Sequence, residues 1–173
     1  MKHSNLKLGL GSMLLCLSVC TFALTNDQKQ PIHIVAKEQH LDMKSNKMTF
    51  IGDVRLSQGS INIAAETVIA FRNATSGIIE KIEGFGTPAT FTQQSDDGKT
   101  LHGEANEFYY HTQNEKIIMI NNALLRQDDS EIRGNKIQYH ISTLTLIADG
   151  QKAGDRVSTV IQPQATQEPV TQE

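Results

Sequence analysis

The sequence is poor in the residues that usually stabilise exported domains or carry reactive chemistry. It contains no tryptophan, and phenylalanine and tyrosine together make up 5% of its 173 residues. Its two cysteines, Cys16 and Cys20, both lie close to the N-terminus. If that segment is removed, the rest of the chain can form neither a disulfide nor a thiolate metal site. Stability must then come from the packing of mid-sized aliphatic side chains.

Motifs that support catalysis or bind a metal are also missing. There is no G-x-S-x-G nucleophile turn, no cysteine after the N-terminal segment to pair with a histidine, and no phosphate-binding G-x-x-x-x-G-K. The carboxylate pairs Asp96-Asp97 and Asp128-Asp129 fit turns. The histidines after the N-terminal segment are scattered without metal-ligand spacing: His33, His40, His102, His111 and His140. We therefore predict no enzyme activity, no metal site and no cofactor.

The N-terminal segment has the features of a signal peptide. Lys2 and Lys7 precede an uncharged apolar run over residues 8–19, and Thr21-Phe22-Ala23 provides small residues for cleavage. At about a dozen residues, the run is shorter than the roughly 20 needed to span a bilayer. We predict a signal peptide over residues 1–23, a β-domain over 24–161 and a disordered polar tail over 162–173. The alternatives are an uncleaved anchor and a lipoprotein modified at Cys20.

Charge argues against nucleic acid as a partner. The whole chain has a formal charge of -3, and removal of Lys2 and Lys7 leaves 14 basic against 19 acidic residues, a charge of -5. A mildly acidic domain has little electrostatic attraction for nucleic acid or for an anionic membrane surface.

Short alternating segments separated by turn residues predict an all-β chain. No stretch keeps a helical period over three turns, although helix formers leave a helix over residues 36–44 as an alternative. Gly52 interrupts a strand pattern and predicts a β-bulge. Gly86-Thr87-Pro88 is predicted to separate a strand over residues 78–85 from one that starts at Ala89, and Ser95-Asp96-Asp97-Gly98 predicts a hairpin turn.

A repeat organises the chain. The stretch over residues 50–71 returns 69 positions later without a gap, so that Leu56 corresponds to Leu125 and Gln58 to Gln127. Such a repeat indicates one supersecondary unit used twice, each copy burying its apolar face against the other. It favours a jelly roll or solenoid with open strand edges over an immunoglobulin-like sandwich.

The alternation of apolar and polar residues along the predicted strands also predicts which side chains face inward. Its residues are Ile32, Ile34, Phe50, Val54, Leu56, Ile63, Val68, Phe91, Phe108, Tyr110, Leu125, Ile132, Ile137 and Tyr139. A face of this kind ordinarily forms a filled core. If the two layers splay, however, it would line an apolar slot that could hold a lipid.

Several motifs, in their order and spacing, resemble those of the OstA-like family of lipopolysaccharide export proteins. The likeness covers nearly the whole chain, leader included. The motifs are Pro31-Ile32-His33-Ile34, Leu41-Asp42, Thr49-Phe50-Ile51-Gly52-Asp53-Val54, Gln58-Gly59, Gly84-Phe85-Gly86 with Pro88-Ala89-Thr90-Phe91, and Gly134-Asn135-Lys136-Ile137-Gln138-Tyr139. Departures from the family pattern are Phe85 between the two glycines and the acidic, glutamine-rich tail.

The resemblance implies a periplasmic protein with the fold of this family. That fold is a twisted β-jellyroll of two V-shaped antiparallel sheets with open strand edges at both ends. Its apolar groove would carry the acyl chains of lipopolysaccharide. Ile32, Ile34, Phe91 and Tyr110 match the family's lipid-lining positions, and Arg72 would lie near an opening where a sugar or phosphate headgroup passes.

The resemblance also implies partners. Copies would stack head to tail and connect an inner-membrane-anchored LptC-like receptor to the N-terminal domain of an LptD-like outer-membrane translocon. The alternative function is a structural β-repeat assembly protein with a filled core and no lipid cargo.

Overall fold

The computed structural model describes residues 27–95, 98–150 and 156–162. The predicted signal peptide, the Asp96-Asp97 turn tip and all of the predicted tail except Gln162 lie outside the described residues. The described ranges form a short 3-10 turn, η1, over Asp27–Lys29 and ten strands. The strands are β1 His33–Val35, β2 Glu38–Asp42, β3 Lys47–Gln58, β4 Ile61–Arg72, β5 Ile79–Gln94, β6 Thr100–His111, β7 Lys116–Gln127, β8 Ser130–His140, β9 Thr145–Asp149 and β10 Ser158–Val160.

The all-β prediction is confirmed, and the helix considered over residues 36–44 is wrong because β2 occupies that stretch. Among the described residues, no helix is long and apolar enough to cross a membrane.

All strands pair antiparallel in one sheet that does not close. The order is β1-β3-β4-β5-β6-β7-β8-β10, with β2 also pairing with β3 and β9 also pairing with β8. Two short strands therefore share each outer position of the sheet. We call β1 and β2 the N-terminal edge, and β9 and β10 the C-terminal edge.

A line of register irregularities crosses the sheet and folds it into two layers. The irregularities fall between the partners of residues 51 and 54, 64 and 67, 85 and 89, 104 and 107, and 120 and 123. Bulges bend strands and increase their twist, so a continuous row of them folds the whole sheet. We call this row the bend line. The bend line divides each of β3–β8 into two segments. Layer A contains β1, β10 and the segments on the same side of the bend line as Gln58. Layer B contains β2, β9 and the segments on the other side.

Residues with left-handed backbone conformation form part of the bend line. Gly52 and Asp53 have φ angles of 83° and 44° in β3, and Asn121 and Asn122 have φ angles of 64° and 56° in β7. Glycine, asparagine and aspartate tolerate this region better than other residues. The bulge predicted at Gly52 is confirmed.

One predicted strand boundary is wrong. Gly86-Thr87-Pro88 does not separate two strands, because β5 runs unbroken over Ile79–Gln94. The proline falls between Phe85 and Ala89, where the β5–β6 ladder already shifts register. A missing N–H group is tolerated at such a bulge.

The predicted repeat is confirmed by strand pairing. In the first unit Lys47 pairs with Phe71 and Gln58 with Ile61, and 69 residues later Lys116 pairs with His140 and Gln127 with Ser130. The correspondence includes the edge, since Ile34 pairs with Leu56 as Gly103 pairs with Leu125. β1 and β2 thus correspond to the two halves of β6. The fold therefore consists of two units in tandem, each of which occupies four strand positions in the sheet.

The core lies between the two layers. Among its most deeply buried large side chains are Phe91, Phe108 and Tyr110, with relative exposures of 0–1%. Gly103 permits the close approach of the layers, because a Cβ atom there would lie 2.9 Å from the Sδ atom of Met119 and 3.3 Å from Phe91. Full burial of each large aliphatic side chain stabilises the fold by about 1.5–3 kcal/mol.

Candidate lipid-binding interior and strand edges

The fourteen predicted groove residues all lie in the interior between the layers. Eleven are buried: Phe50, Val54, Leu56, Ile63, Val68, Phe91, Phe108, Tyr110, Leu125, Ile137 and Tyr139. The other three, Ile32, Ile34 and Ile132, are partly buried and pack against this cluster. The shared face follows from strand alternation, since side chains two residues apart point to the same side. Contact with lipid stays a prediction for all fourteen.

The predicted list of inward residues omits several residues of the same interior. Ile61, Ile82, Ile117 and Met119 are as deeply buried as the predicted residues. Ile117 and Met119 belong to the unbroken apolar run Ile117-Ile118-Met119-Ile120, in which alternation gives no signal. The repeat could have identified Met119, which stands 69 residues after Phe50.

The interior is closed in this structure. Phe91, Phe108 and Tyr110 are almost completely shielded from solvent. The slot predicted between splayed layers is therefore not open here, and a lipid chain would have to separate the layers. An open depression of about 360 Å³ lies instead beside the N-terminal edge, lined by outward-facing residues that include His33, Arg55 and Thr92.

A row of glutamines lies on the interior face at the far side of layer A from the bend line. Gln58 pairs with Ile61 in β4, Gln93 pairs with Leu101 in β6, and Leu101 pairs with Gln127 in β7. Ile61 and Gln93 stand one step beyond the pair Asn62–Thr92, so the row is continuous. We call Gln58, Gln93 and Gln127 the glutamine row. Gln58 and Gln93 are buried, with exposures of 4% and 9%.

A hydrogen bond joins the two layers at this row. The Tyr110 hydroxyl of layer B donates to Gln58 Oε1 of layer A over 3.1 Å. Burial, followed by the negative charges of Glu115 and Asp27, raises the pKa of Tyr110 to about 12. The phenol therefore stays protonated at neutral pH and can act as the donor.

The N-terminal turn η1 covers the same end of layer A. One oxygen of Asp27 accepts from the Ser60 backbone N–H over 2.7 Å, and the other accepts from Ser60 Oγ over 2.8 Å. Gln93 Nε2 also donates to Asp27 Oδ2 over 3.3 Å, and Gln58 Nε2 donates to the Gln30 carbonyl over 3.2 Å. These hydrogen bonds hold the polar segment over residues 27–30 against the glutamine row.

Arg72, the predicted headgroup contact, ends β4 in layer B. Its side chain is partly exposed, and its backbone N–H donates to the Asn46 carbonyl over 3.0 Å. This hydrogen bond anchors the neighbouring turn. The headgroup role of Arg72 stays a prediction.

Exposed hydrophobic side chains concentrate at the two edges. Among the described residues, nine large hydrophobic side chains are exposed, and all but Ile78 lie at or beside an edge strand. The N-terminal set is Val35, Leu41, Met43 and Ile51, and the C-terminal set is Leu144, Ile147, Val160 and Ile161. Unpaired strands flanked by apolar side chains are templates for pairing with another chain.

Two of the described histidines lie beside carboxylates. His102 Nε2 lies 2.9 Å from Glu104 Oε1, and His40 Nε2 lies 3.7 Å from Glu38 Oε2. Burial, followed by the charges of Lys116 and Lys81, lowers the pKa of His111. Within residues 27–95, 98–150 and 156–162, no three His, Cys, Asp or Glu side chains form a group able to hold a metal ion.

The fold and its interior define a class of protein: an unclosed antiparallel β-jellyroll with a continuous apolar interior and a free strand edge at each end. Residues 33–145 match the family model described as LptA/(LptD N-terminal domain) LPS transport protein. The chain belongs to this family of lipopolysaccharide transport proteins, which agrees with the predicted resemblance.

Individual relatives agree with the family assignment. The chain is 41% identical over 164 residues to the lipopolysaccharide export system protein LptA of Escherichia coli strain K12, covering 95% of this chain and 88% of that protein. It is 44% identical over 166 residues to LptA of Haemophilus influenzae, covering 95% of each.

A solved structure has the same fold. The crystal structure of LptH, described as the LptA homologous periplasmic component of the conserved lipopolysaccharide transport device of Pseudomonas aeruginosa, matches with a TM-score of 0.74 and 26% identity. The match covers 80% of this chain and 100% of LptH. The predicted β-jellyroll class is confirmed.

Proposed function

We propose that this chain is a periplasmic lipopolysaccharide carrier that bridges the inner and outer membranes. Acyl chains would lie between layers A and B, and copies would stack head to tail so that one interior continues into the next. The observation that carries the proposal is the interior itself, a continuous apolar face that ends at two unpaired sheet edges in a chain of a lipopolysaccharide transport family.

Burial of an acyl chain supplies the free energy for capture. Each buried methylene contributes about 0.8 kcal/mol, so a chain of about a dozen carbons gains roughly 8–10 kcal/mol before ordering costs are subtracted. The acyl chain would replace apolar contacts that layers A and B now make with each other. Separation of the layers changes the angle at the bend line, where the strand ladders are already interrupted. An acidic protein can thus hold an anionic lipid by its tails.

The internal repeat supports head-to-tail assembly. The N-terminal edge corresponds to β6, and the C-terminal edge takes the position on β8 that β5 takes on β4, because Tyr139 pairs with Leu146 as Ala70 pairs with Ile82. The β5–β6 junction inside one chain is therefore a template for the junction between two chains. Pairing of two different edges does not close, so it extends a stack.

The proposed protein partners would use the same edges. An inner-membrane-anchored LptC-like receptor would pair with one end of the stack, and the N-terminal domain of an LptD-like translocon with the other. The family that this chain belongs to includes such LptD N-terminal domains, and a domain of like fold has an edge of like geometry.

The experiment that tests lipid carriage places a photoreactive p-benzoylphenylalanine at Phe108, on the interior face. The matched control places it at Tyr109, the next residue of β6, which faces outward and donates to Glu107 Oε2 over 2.6 Å. After incubation with lipopolysaccharide and irradiation, we expect an adduct at position 108 and little at position 109. Equal labelling at both positions, or none at 108 in a folded protein, would contradict the proposal.

One observation favours a second candidate, a structural β-repeat assembly protein without cargo. The interior is filled in this structure, as such a protein requires. Native mass spectrometry of the purified chain separates the two functions, since assemblies that never take up added lipopolysaccharide would support the structural role.

A further inference from the structure

Gln93 holds an unusual position in the glutamine row. The residue is 9% exposed, and its Oε1 atom has no hydrogen-bond partner among the described residues. Buried carbonyl oxygens are nearly always paired. The orientation of the amide is fixed, because a carboxylate only accepts hydrogen bonds and Nε2 must therefore be the atom that faces Asp27. Oε1 is left as a buried acceptor in need of a donor.

The side chain of Gln93 lies between an apolar and a polar environment. Towards the bend line, Phe91 is fully buried on the same face, and the cross-strand neighbours Ile61 and Leu101 are apolar. On the opposite side lies the N-terminal turn with Asp27. A molecule that fits both sides has a hydrocarbon chain with a polar group at its end.

The missing partner must be a hydrogen-bond donor. A fully deprotonated phosphate presents only acceptor oxygens, and next to Oε1 and the Asp27 carboxylate it would be repelled. A hydroxyl or an amide N–H meets the requirement. The neighbouring Gln58 shows how such a group is satisfied, since its Oε1 accepts the hydroxyl of Tyr110.

We propose that Gln93 forms a polar subsite at the margin of the interior, which accepts a hydrogen bond from a hydroxyl or amide N–H group near the polar end of a bound acyl chain. The subsite rests on the proposed lipid-carrier function and extends it, because it makes the carrier select among acyl chains of equal length. Gln93 sets the depth at which the chain stops, and the residues towards the bend line take its hydrocarbon part.

The test compares acyl probes that differ only in one donor. Methyl tetradecanoate is compared with methyl 3-hydroxytetradecanoate, and N-tetradecanoylglycine methyl ester with its ester analogue, methyl tetradecanoyloxyacetate, so that no probe carries a charge beside Asp27. Isothermal titration calorimetry on the folded chain measures each Kd. We expect the wild-type chain to prefer the donor-bearing member of at least one pair by about 3- to 10-fold, the range of one hydrogen bond. The pair that shows the preference tells whether a hydroxyl or an amide is the donor.

Two variants locate the effect. In Gln93→Met, a residue of similar length without an amide acceptor, we expect the preference to vanish while the Kd of methyl tetradecanoate stays within about 3-fold. In Gln127→Met, the matched change in the same row on β7, we expect the preference to remain. Retention of the preference in Gln93→Met would overturn the proposal.

The wild-type comparison needs no substitution, so it decides the matter even if Gln93→Met does not fold. Binding of all four probes without discrimination would show that Gln93 Oε1 is satisfied by water alone, and the subsite would be wrong while the carrier function stood. Failure of every probe and of lipopolysaccharide to bind would instead refute the carrier function.

Discussion

At the residue scale, Tyr110 makes the stability of the folded chain depend on pH. Its pKa is raised from 10.0 to about 12, first by burial and then by the charges of Glu115 and Asp27. The unfolded chain begins to release this proton near pH 10, whereas the folded chain keeps it to about pH 12. The folded state therefore gains stability from Tyr110 below pH 10, and this gain is lost as the pH rises from 10 to 12.

We expect Tyr110→Phe to reduce the alkaline loss of stability. Between about pH 10 and 12 the free energy of unfolding of the wild-type chain should fall by on the order of 2 kcal/mol more than that of the variant. Urea unfolding followed by circular dichroism measures this difference. Some decline should remain in the variant, because a hydrogen bond to Glu107 raises the pKa of Tyr109 to about 12. Equal slopes in both proteins would show that Tyr110 is not buried in solution.

Also at this scale, polar residues on the interior face were the hardest to predict. Gln58 has the same strand parity as Val54 and Leu56, and its repeat partner Gln127 is again a glutamine. Both directly precede turns, so the sequence gives no reason to place these polar side chains in the interior. Their inward orientation emerges only when cross-strand pairing aligns β3, β5 and β7.

At the element scale, the bend line is what turns one sheet into two facing layers. Local sequence shows it where a glycine interrupts a strand, as at Gly52, but elsewhere the bulges align only through pairing between distant strands. The predicted strand break at Gly86-Thr87-Pro88 failed for this reason: the same residues mark a bend within β5. The strands were predictable from alternation, and the repeat was predictable from residues that recur at a fixed offset of 69 positions.

Asn122 provides a test of the bend line. Its side chain is exposed and its φ angle is 56°, a region that β-branched residues disfavour. We expect Asn122→Val to lower the free energy of unfolding by about 1–3 kcal/mol, whereas Asn122→Gly should change it by only a few tenths. Urea denaturation of both variants measures the effect. Equal stability of the two variants would mean that β7 does not need a left-handed residue at this position.

At the scale of the whole molecule, the repeat predicts the register of the intermolecular junction. If the junction copies β5–β6, Leu146 of one copy takes the place of Ile82, and Leu41 of the next copy takes the place of Tyr110, which pairs with Ile82. Leu41 is 52% exposed in the single chain, so assembly would bury it in the extended interior.

Disulfide trapping checks this register. In a chain that starts after Ala23 and thus lacks Cys16 and Cys20, we expect Leu41→Cys with Leu146→Cys to form a ladder of cross-linked oligomers under mild oxidation. Paired Cα atoms in a sheet lie within disulfide reach. The control, Gln39→Cys with Leu146→Cys, is two positions out of register and should cross-link much more slowly. A reversed preference would mean that the internal junction is not the template.

The edges on which that junction depends could be predicted only in part. The repeat indicated open ends, but the division of each edge into two short strands depends on where the bend line meets it. The closed interior agrees with the filled core that such a face ordinarily forms, but alternation could not decide between this core and an open slot, because it does not show how far the two layers stand apart.

The unclosed sheet also acts as a measure of length. Its path contains eight strand rows, and neighbouring strands lie about 4.8 Å apart. If copies stack as proposed, each copy added with the internal register would lengthen the stack by roughly 38 Å. The reach of the proposed conduit would then grow in equal increments, and the distance between the two membranes would be counted in whole molecules.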